Sequence, residues 1–167
     1  YIFYRNDLNA QNAGVNVGNS SSIANNIGFR TINGTSSISV TNGRRLTVTG
    51  IGSGYAVDRD VSISNGTLRL GHSSVGTNGG SIHNIAFSGG ALEIARGAWL
   101  GSTVQGNGNL SIAQNSSLAL AEIKNIDSIT NSGTLSVSRD VAINGTINNV
   151  GYLTVSNLLK FGTNAKL

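Results

Sequence analysis

One short motif recurs along this chain: a turn of small polar residues or glycine, then leucine, any residue, and a second aliphatic residue. A turn followed by a three-residue strand, repeated with little else between, predicts a β-solenoid. Such a fold gives a stacked rod rather than a pocket. The six clear copies are Ser64–Leu70, Ser88–Ile94, Gly106–Ile112, Gln114–Leu120, Asn131–Val137 and Asn149–Val155.

The spacing of the motif predicts the length of one coil. Its first leucines follow one another at intervals of 22, 24, 18, 25 and 18 residues, about 21 on average, which is typical of one coil of a parallel β-helix. We therefore predict an all-β parallel β-helix of roughly eight coils, with residues 1–167 as a single domain. These leucines should stack in one interior column: Leu46, Leu68, Leu92, Leu110, Leu135 and Leu153.

A longer repeat supports the same scheme. Arg59–Leu68 reads RDVSISNGTL and Arg139–Ile147 reads RDVAINGTI, an offset of 80 residues or about four coils. Because Asn-Gly also signals hairpins, an antiparallel meander is the main alternative. The three-residue strands and the regular recurrence favour the solenoid.

The middle residue of each strand should point outward, since side chains alternate along a strand. Arg69 and Glu93 would then lie on neighbouring coils as an exposed ion pair. The predicted outward ladder is Thr47, Arg69, Glu93, Ser111, Ser136 and Thr154.

Composition narrows the function classes. Cysteine is absent, so neither a disulfide framework nor a thiolate metal site is expected. The net charge is +4, but the basic residues are scattered and only Arg44 and Arg45 are adjacent. Without a basic stripe that alternates with aromatic residues, we expect no nucleic-acid partner. We also expect no metal and no cofactor.

Catalysis on a solenoid requires grouped carboxylates, and only Asp58 and Asp60 are close in sequence. Because Asp60 recurs as Asp140 in the longer repeat, a turn-capping role is the better interpretation of both. We therefore expect no catalytic residues and no enzyme, with a polysaccharide lyase or hydrolase as the alternative. His72 and His83 lie in a Gly/Ser-rich stretch and are interpreted as loop residues rather than as metal ligands.

Binding residues are expected on outward positions and in two longer insertions, Gly71–Ser81 and Gly97–Gly108. Trp99, beside glycine and arginine, is either a sugar platform or a residue of the core. The candidate binding residues are Trp99, Arg96, His72, His83, Arg69 and Glu93.

The repeats have a family resemblance. Ile129–Val155, ITNSGTLSVSRDVAINGTINNVGYLTV, resembles passenger domains of bacterial autotransporters and is similar to filamentous haemagglutinins of two-partner secretion. The resemblance implies a right-handed parallel β-helix displayed on, or released from, a Gram-negative outer membrane. It implies adhesion to a host-cell protein or glycan, self-association, or toxin delivery, and it brings no catalytic motif.

The ends suggest a fragment of a longer secreted protein, linked to the outer membrane only through a translocator outside this sequence. The start, YIFYRNDLNAQ, does not resemble a signal peptide. Tyr1–Tyr4 is the most apolar and aromatic stretch, and we expect it to pair with a preceding coil or with a second copy of the chain.

Overall fold

The computed structural model describes residues 3–18, 26–75 and 78–163, and these residues form strands and turns without a helix. Short strands separated by tight turns leave no segment of helical length. The strands are β1 Phe3–Asn9, β2 Val15–Val17, β3 Asn26–Asn33, β4 Ile38–Thr41, β5 Arg45–Val48, β6 Gly50–Tyr55, β7 Val61–Ser64, β8 Thr67–Leu70, β9 Gly79–Ser81, β10 Ile85–Ile94, β11 Gly97–Leu100, β12 Thr103–Ile112, β13 Ser116–Leu120, β14 Glu122–Asn131, β15 Thr134–Val137, β16 Val141–Asn149, β17 Tyr152–Val155 and β18 Leu159–Phe161.

Successive coils stack into two sheets of 12 and 6 strands. The larger sheet holds two strand segments of each coil, which fuse into the single long strands β10, β12, β14 and β16. The smaller sheet, in the order β17-β15-β13-β11-β9-β6, holds the third segment. Every pairing between described strands is parallel, so the predicted β-solenoid is confirmed and the antiparallel meander is wrong.

The number of coils can be read from one interior column of aliphatic residues, which has one member in each coil. Its members are separated by 23, 23, 24, 19, 19, 18 and 18 residues, which makes about seven coils, close to the eight expected. Val61 and Val141, the valines of the longer repeat, are four coils apart, as predicted. The column is Val15, Ile38, Val61, Ile85, Val104, Ile123, Val141 and Leu159.

The predicted leucine column is wrong in its second half. Leu46, Leu68, Leu92 and Leu110 do stack, but the next members are Ile129 and Ile147. In the coil that begins at Val104 the motif occurs twice, as Gly106–Ile112 in the larger sheet and as Gln114–Leu120 in the smaller sheet. The later copies lie in the smaller sheet, and this explains the error. Leu135 and Leu153 belong to a separate column of the smaller sheet, which is Trp99, Leu118, Leu135 and Leu153.

The outward ladder divides in the same way. Thr47, Arg69, Glu93 and Ser111 are neighbours in the larger sheet and continue into Thr130. Thr47 is nevertheless 0% exposed and donates a hydrogen bond to Asn26, so its predicted exposure is wrong. The two remaining members, Ser136 and Thr154, lie in the smaller sheet.

Asparagine allows the tight turns between segments. Asn65 and Asn115, both within copies of the motif, have φ of 56° and 62°. Asparagine tolerates this left-handed region better than most residues, because its short side chain can bond to the local backbone. The turns at these two copies of the motif therefore follow from the sequence.

Candidate binding surface

Stacking of the third and fourth coils brings four of the six candidate residues to one region of the larger sheet. Arg69 on β8 is in register with Glu93 on β10, and Arg69 Nε lies 4.0 Å from Glu93 Oε2. The predicted pairing on neighbouring coils is confirmed. Both side chains are about one-third exposed, so solvent screening limits the pair to about 0–1 kcal/mol.

His72 is separated from the end of β8 by Gly71 alone, and its ring lies against the ring of Tyr4, with centroids 4.3 Å apart and planes inclined at 30°. Its Nδ1 is 2.8 Å from Ser74 Oγ. Partial burial, followed by the charges of Arg69 and Arg45, lowers the pKa of His72 below its usual value. The imidazole is therefore neutral at pH 7.

Arg96 joins this region through the loop that carries His72. Its guanidinium donates a hydrogen bond from Nη1 to the carbonyl oxygen of Ser73. We call Arg45, Arg69, His72 and Arg96 the basic cluster. Glu93 is the carboxylate that contacts it.

Sequence reasoning did not select Tyr4 or Arg45 as site residues. The ring of Tyr4 lies directly on Gly28, where an added Cβ would be 2.1 Å from a ring carbon, and Asn26 donates a hydrogen bond to its hydroxyl at 3.3 Å. Tyr4 reaches this position because β1 pairs in parallel with β3, which lies one coil further along the chain. Of the stretch Tyr1–Tyr4, Tyr1, Ile2 and the side chain of Phe3 lie outside the described residues.

The second histidine lies elsewhere. His83 Nε2 is 3.3 Å from Asp58 Oδ1, and its ring stacks on Tyr55 with centroids 4.7 Å apart and planes inclined at 2°. Asp60 accepts a hydrogen bond from the backbone N–H of Asn84 at 3.1 Å. Asp58 and Asp60 therefore contact two consecutive residues of the next coil, His83 and Asn84.

Asp140 repeats the role of Asp60. It accepts a hydrogen bond from the backbone N–H of Leu158 at 3.3 Å and a second from Asn157 Nδ2 at 2.7 Å. Asn84 and Leu158 each directly precede a strand segment of the next coil. Both aspartates therefore accept hydrogen bonds from backbone N–H groups at these turns, as the capping interpretation requires.

Trp99 is a core residue, and its interpretation as a sugar platform is wrong. The side chain is 1% exposed, and Nε1 donates to the carbonyl oxygen of Arg96 at 2.8 Å. It faces inward because it continues the column of Leu118. The stretch Gly97–Gly108 is likewise not an insertion, since it forms β11 and the first half of β12.

The outer face of the smaller sheet differs sharply from the basic cluster. Its six strands contain no charged residue, and small side chains such as Ala98, Ser117 and Ser136 leave adjoining grooves of about 540, 560 and 350 Å³. Leu100 and Tyr152 are 59% and 78% exposed on this grooved face. Charged residues of the described strands all lie in the larger sheet: Arg5, Asp7, Arg30, Arg45, Arg69, Glu93, Glu122, Lys124, Asp127 and Lys160.

Across residues 3–18, 26–75 and 78–163, no three histidine or carboxylate side chains are grouped so as to hold a metal ion. The same residues include no helix with the length and apolarity needed to cross a bilayer. Comparison of the chain with family models, with curated proteins and with solved structures found no match.

Proposed function

We propose that this chain is a non-enzymatic adhesive scaffold of the autotransporter-passenger or filamentous-haemagglutinin type, which acts at the bacterial cell surface or outside the cell. The observation that supports this proposal is the grooved face, whose strands contain no charged residue. All the charged residues of the described strands lie in the other sheet. Its partner is a protein or glycan on a host cell, or the surface of another bacterial cell.

Burial of charged side chains opposes docking, because each unpaired charge loses its hydration. The grooved face avoids this cost, since its outward residues are glycine, alanine, serine, threonine, leucine and tyrosine. Exposed aromatic and aliphatic side chains such as Tyr152, Val150 and Leu100 add apolar area that a partner can cover. Tyrosine is also a preferred residue at the centre of interfaces.

The β-solenoid suits this role for a mechanical reason. Strands of the inner coils are hydrogen-bonded to strands of the coils before and after them, at a spacing of about 4.8 Å. The outward side chains are therefore held in fixed rows, and a partner does not have to order them on binding. Preorganised surfaces bind more tightly because this entropy cost is avoided.

The test is display of the chain on a non-adherent bacterium, with adhesion to cultured animal cells and autoaggregation as readouts. Ser117→Arg and Ser136→Arg place charges in the grooves, and Ser111→Arg is the matched control on the larger sheet. Groove variants should lower adhesion or aggregation by about tenfold or more, since a desolvated charge costs more than the roughly 1.4 kcal/mol that a tenfold change represents. Ser111→Arg should have little effect.

Two results contradict the proposal. One is the absence of both adhesion and autoaggregation when the unsubstituted chain is displayed. The other is equal loss of binding in the groove variants and in Ser111→Arg. Thermal unfolding of all three variants establishes that they are folded, which is expected because each position faces outward.

A further inference from the structure

We propose that the basic cluster is a binding site for an acidic polysaccharide, that is, a glycan whose sugar rings carry sulfate or carboxylate groups. The cluster lies on the larger sheet, away from the grooved face, so this site is independent of the adhesive role proposed above. Charge, hydrogen-bonding capacity, spacing and the neighbouring aromatic rings all support it.

The two central guanidinium groups are incompletely satisfied. Arg45 Nε and Arg69 Nε are buried, and neither has a hydrogen-bond partner among the described residues. Glu93 Oε2 is 4.0 Å from Arg69 Nε, beyond hydrogen-bond distance. Each guanidinium is therefore partly desolvated and has no acceptor at hydrogen-bond distance among the described residues, so an anionic group that binds it displaces no existing hydrogen bond.

The charge balance points to an anionic ligand. Of the three arginines of the cluster, only Arg69 has a carboxylate, Glu93, within 4.0 Å among the described residues. Acidic residues elsewhere in the early coils are engaged in other contacts. Asp7, for example, accepts hydrogen bonds from Arg30 at 2.7 and 2.9 Å. An uncompensated group of arginines on one surface attracts polyanions.

The strand register sets the backbone spacing of Arg45 and Arg69. Arg45 is in register with Thr67, and Thr47 is in register with Arg69. Arg45 and Arg69 are therefore diagonal neighbours on one face, about 7–8 Å apart at the backbone. Two planar forks at this separation can each take one anionic group of the same polymer chain, since arginine matches sulfate-like and carboxylate oxygens with two parallel hydrogen bonds.

The aromatic pair of Tyr4 and His72 supplies the remaining element of a sugar site. Both residues are half-buried, and the imidazole is close enough to Arg45 and Arg69 to be affected by their charges. An aromatic ring beside cationic groups can pack on the apolar face of a sugar while the cations bind its acidic substituents.

An acidic polysaccharide fits this surface better than a nucleic acid does. Binding of single-stranded nucleic acid uses a series of aromatic residues on which successive bases stack along a basic groove. Here the cluster has one aromatic pair, and beyond Glu93 the ladder continues as Ser111, Thr130 and Asn148, which are uncharged. The basic surface therefore ends after a few coils.

The test is titration of the whole chain with heparin, hyaluronate, neutral dextran and a single-stranded oligonucleotide at low and at physiological salt. The double variant Arg45→Gln, Arg69→Gln removes both forks, and Arg139→Gln is the control because it removes the same kind of charge from a 63% exposed side chain on a later coil. Heparin or hyaluronate should bind the unsubstituted chain. The double variant should weaken this binding by about tenfold or more, and the control by less than about twofold.

The outcomes separate the alternatives. Equal binding of neutral dextran, unchanged affinity in a folded double variant, or an equal loss in Arg139→Gln overturns the proposal. An oligonucleotide that binds more tightly than both acidic glycans shows a nucleic-acid site instead and also overturns it. Ser117→Arg should retain glycan binding, so a failure of the grooved face and a failure of the basic cluster are distinguishable.

Discussion

The first three coils and the last four are built to different lengths, and the difference decides what each can display. Steps of 23 or 24 residues separate Val15, Ile38, Val61 and Ile85, whereas later steps are 18 or 19. A short coil has room for strands and tight turns only. The additional residues of a long coil form loops, such as the one after β8 that carries His72.

The arginines that begin the two copies of the RDV repeat show the same contrast between long and short coils. Arg59, in the long coils, is 4% exposed and donates hydrogen bonds to the carbonyl oxygens of Ala10, Ala13 and Asn33 at 2.8–3.0 Å. Arg139, in the short coils, is 63% exposed, and its Nη2 is 3.7 Å from Glu122 Oε2. The same Arg-Asp-Val sequence thus gives a buried arginine that bonds three backbone carbonyl oxygens, which we call the clamp, in one place and a solvated arginine in the other.

The environment explains this difference. An added Cβ at Gly34, whose φ is 152°, would be 1.3 Å from Arg59 Nη2, so glycine at this position makes room for the guanidinium. Arg59 donates to carbonyl oxygens of the turn between β1 and β2 and of the last residue of β3. A buried cation is tolerated when it meets enough acceptors.

The largest expected effect comes from removing the clamp. Arg59→Met should lower the free energy of unfolding by about 3–5 kcal/mol, because it removes three charged hydrogen bonds that a buried guanidinium makes to backbone carbonyl oxygens. Arg139→Met should change it by less than about 0.5 kcal/mol. Urea denaturation of both variants measures the difference. Equal losses at the two positions would contradict the contrast between long and short coils.

An intermediate effect is expected at the paired turn aspartates. Asp60→Ala and Asp140→Ala should each destabilise the chain by about 0.5–2 kcal/mol, as for the loss of a capping side chain. Asp140→Ala should cost more, since Asp140 accepts two hydrogen bonds and Asp60 accepts one from the backbone of Asn84. The controls Asp60→Asn and Asp140→Asn keep an acceptor oxygen. If they are as destabilising as the alanine variants, the hydrogen bonds are not the cause.

The smallest effect concerns pH and the basic cluster. The pKa of His72 is lowered in the folded chain by burial and by Arg69 and Arg45, so the unfolded chain binds a proton more readily. Stability should therefore fall as pH decreases below about 6.5, the ordinary pKa of histidine, towards the lower folded value. The readout is the midpoint of thermal unfolding at pH 7.5 and at pH 5, and it should change less in His72→Gln.

Asp7 does not interfere with this measurement. Hydrogen bonds from Arg30 and Thr31 lower its pKa to about 2, so the stability that it contributes is lost only below about pH 4. A pH dependence between 5 and 7.5 that is unchanged in His72→Gln would assign the effect to another group.

Much of the fold follows from the sequence because its signals are local. Asn or Gly turns followed by Leu-x-aliphatic strands specify both the turn conformation and the face that is buried. The coil length and the four-coil offset of Val61 and Val141 follow from the spacing of these signals. The ion pair of Arg69 with Glu93 also follows, since both are middle residues of strands in successive coils.

The failures arise where identical local signals serve different places. Leu110 and Leu118 head two copies of the same motif within one coil, yet they lie in different sheets. The sequence neighbours of Trp99 are compatible with either a sugar-binding platform or a core residue. Its pairing with Leu118, in an interior column of the smaller sheet, makes it a core residue. Nothing local to Arg45 predicts that its charge acts on His72, or that the ring of Tyr4 lies against His72.

The sequence by itself therefore determined the strands, the turns and the approximate period of this protein, because these depend on residues within a few positions of each other. The tertiary structure alone decided which sheet each strand joins, which arginine of a repeated motif is buried, and which side chains meet at the basic cluster. These outcomes depend on the residues that the preceding and following coils place alongside, about 18–24 positions away in the chain. Stacking of coils brings those residues into contact, and local patterns do not encode it.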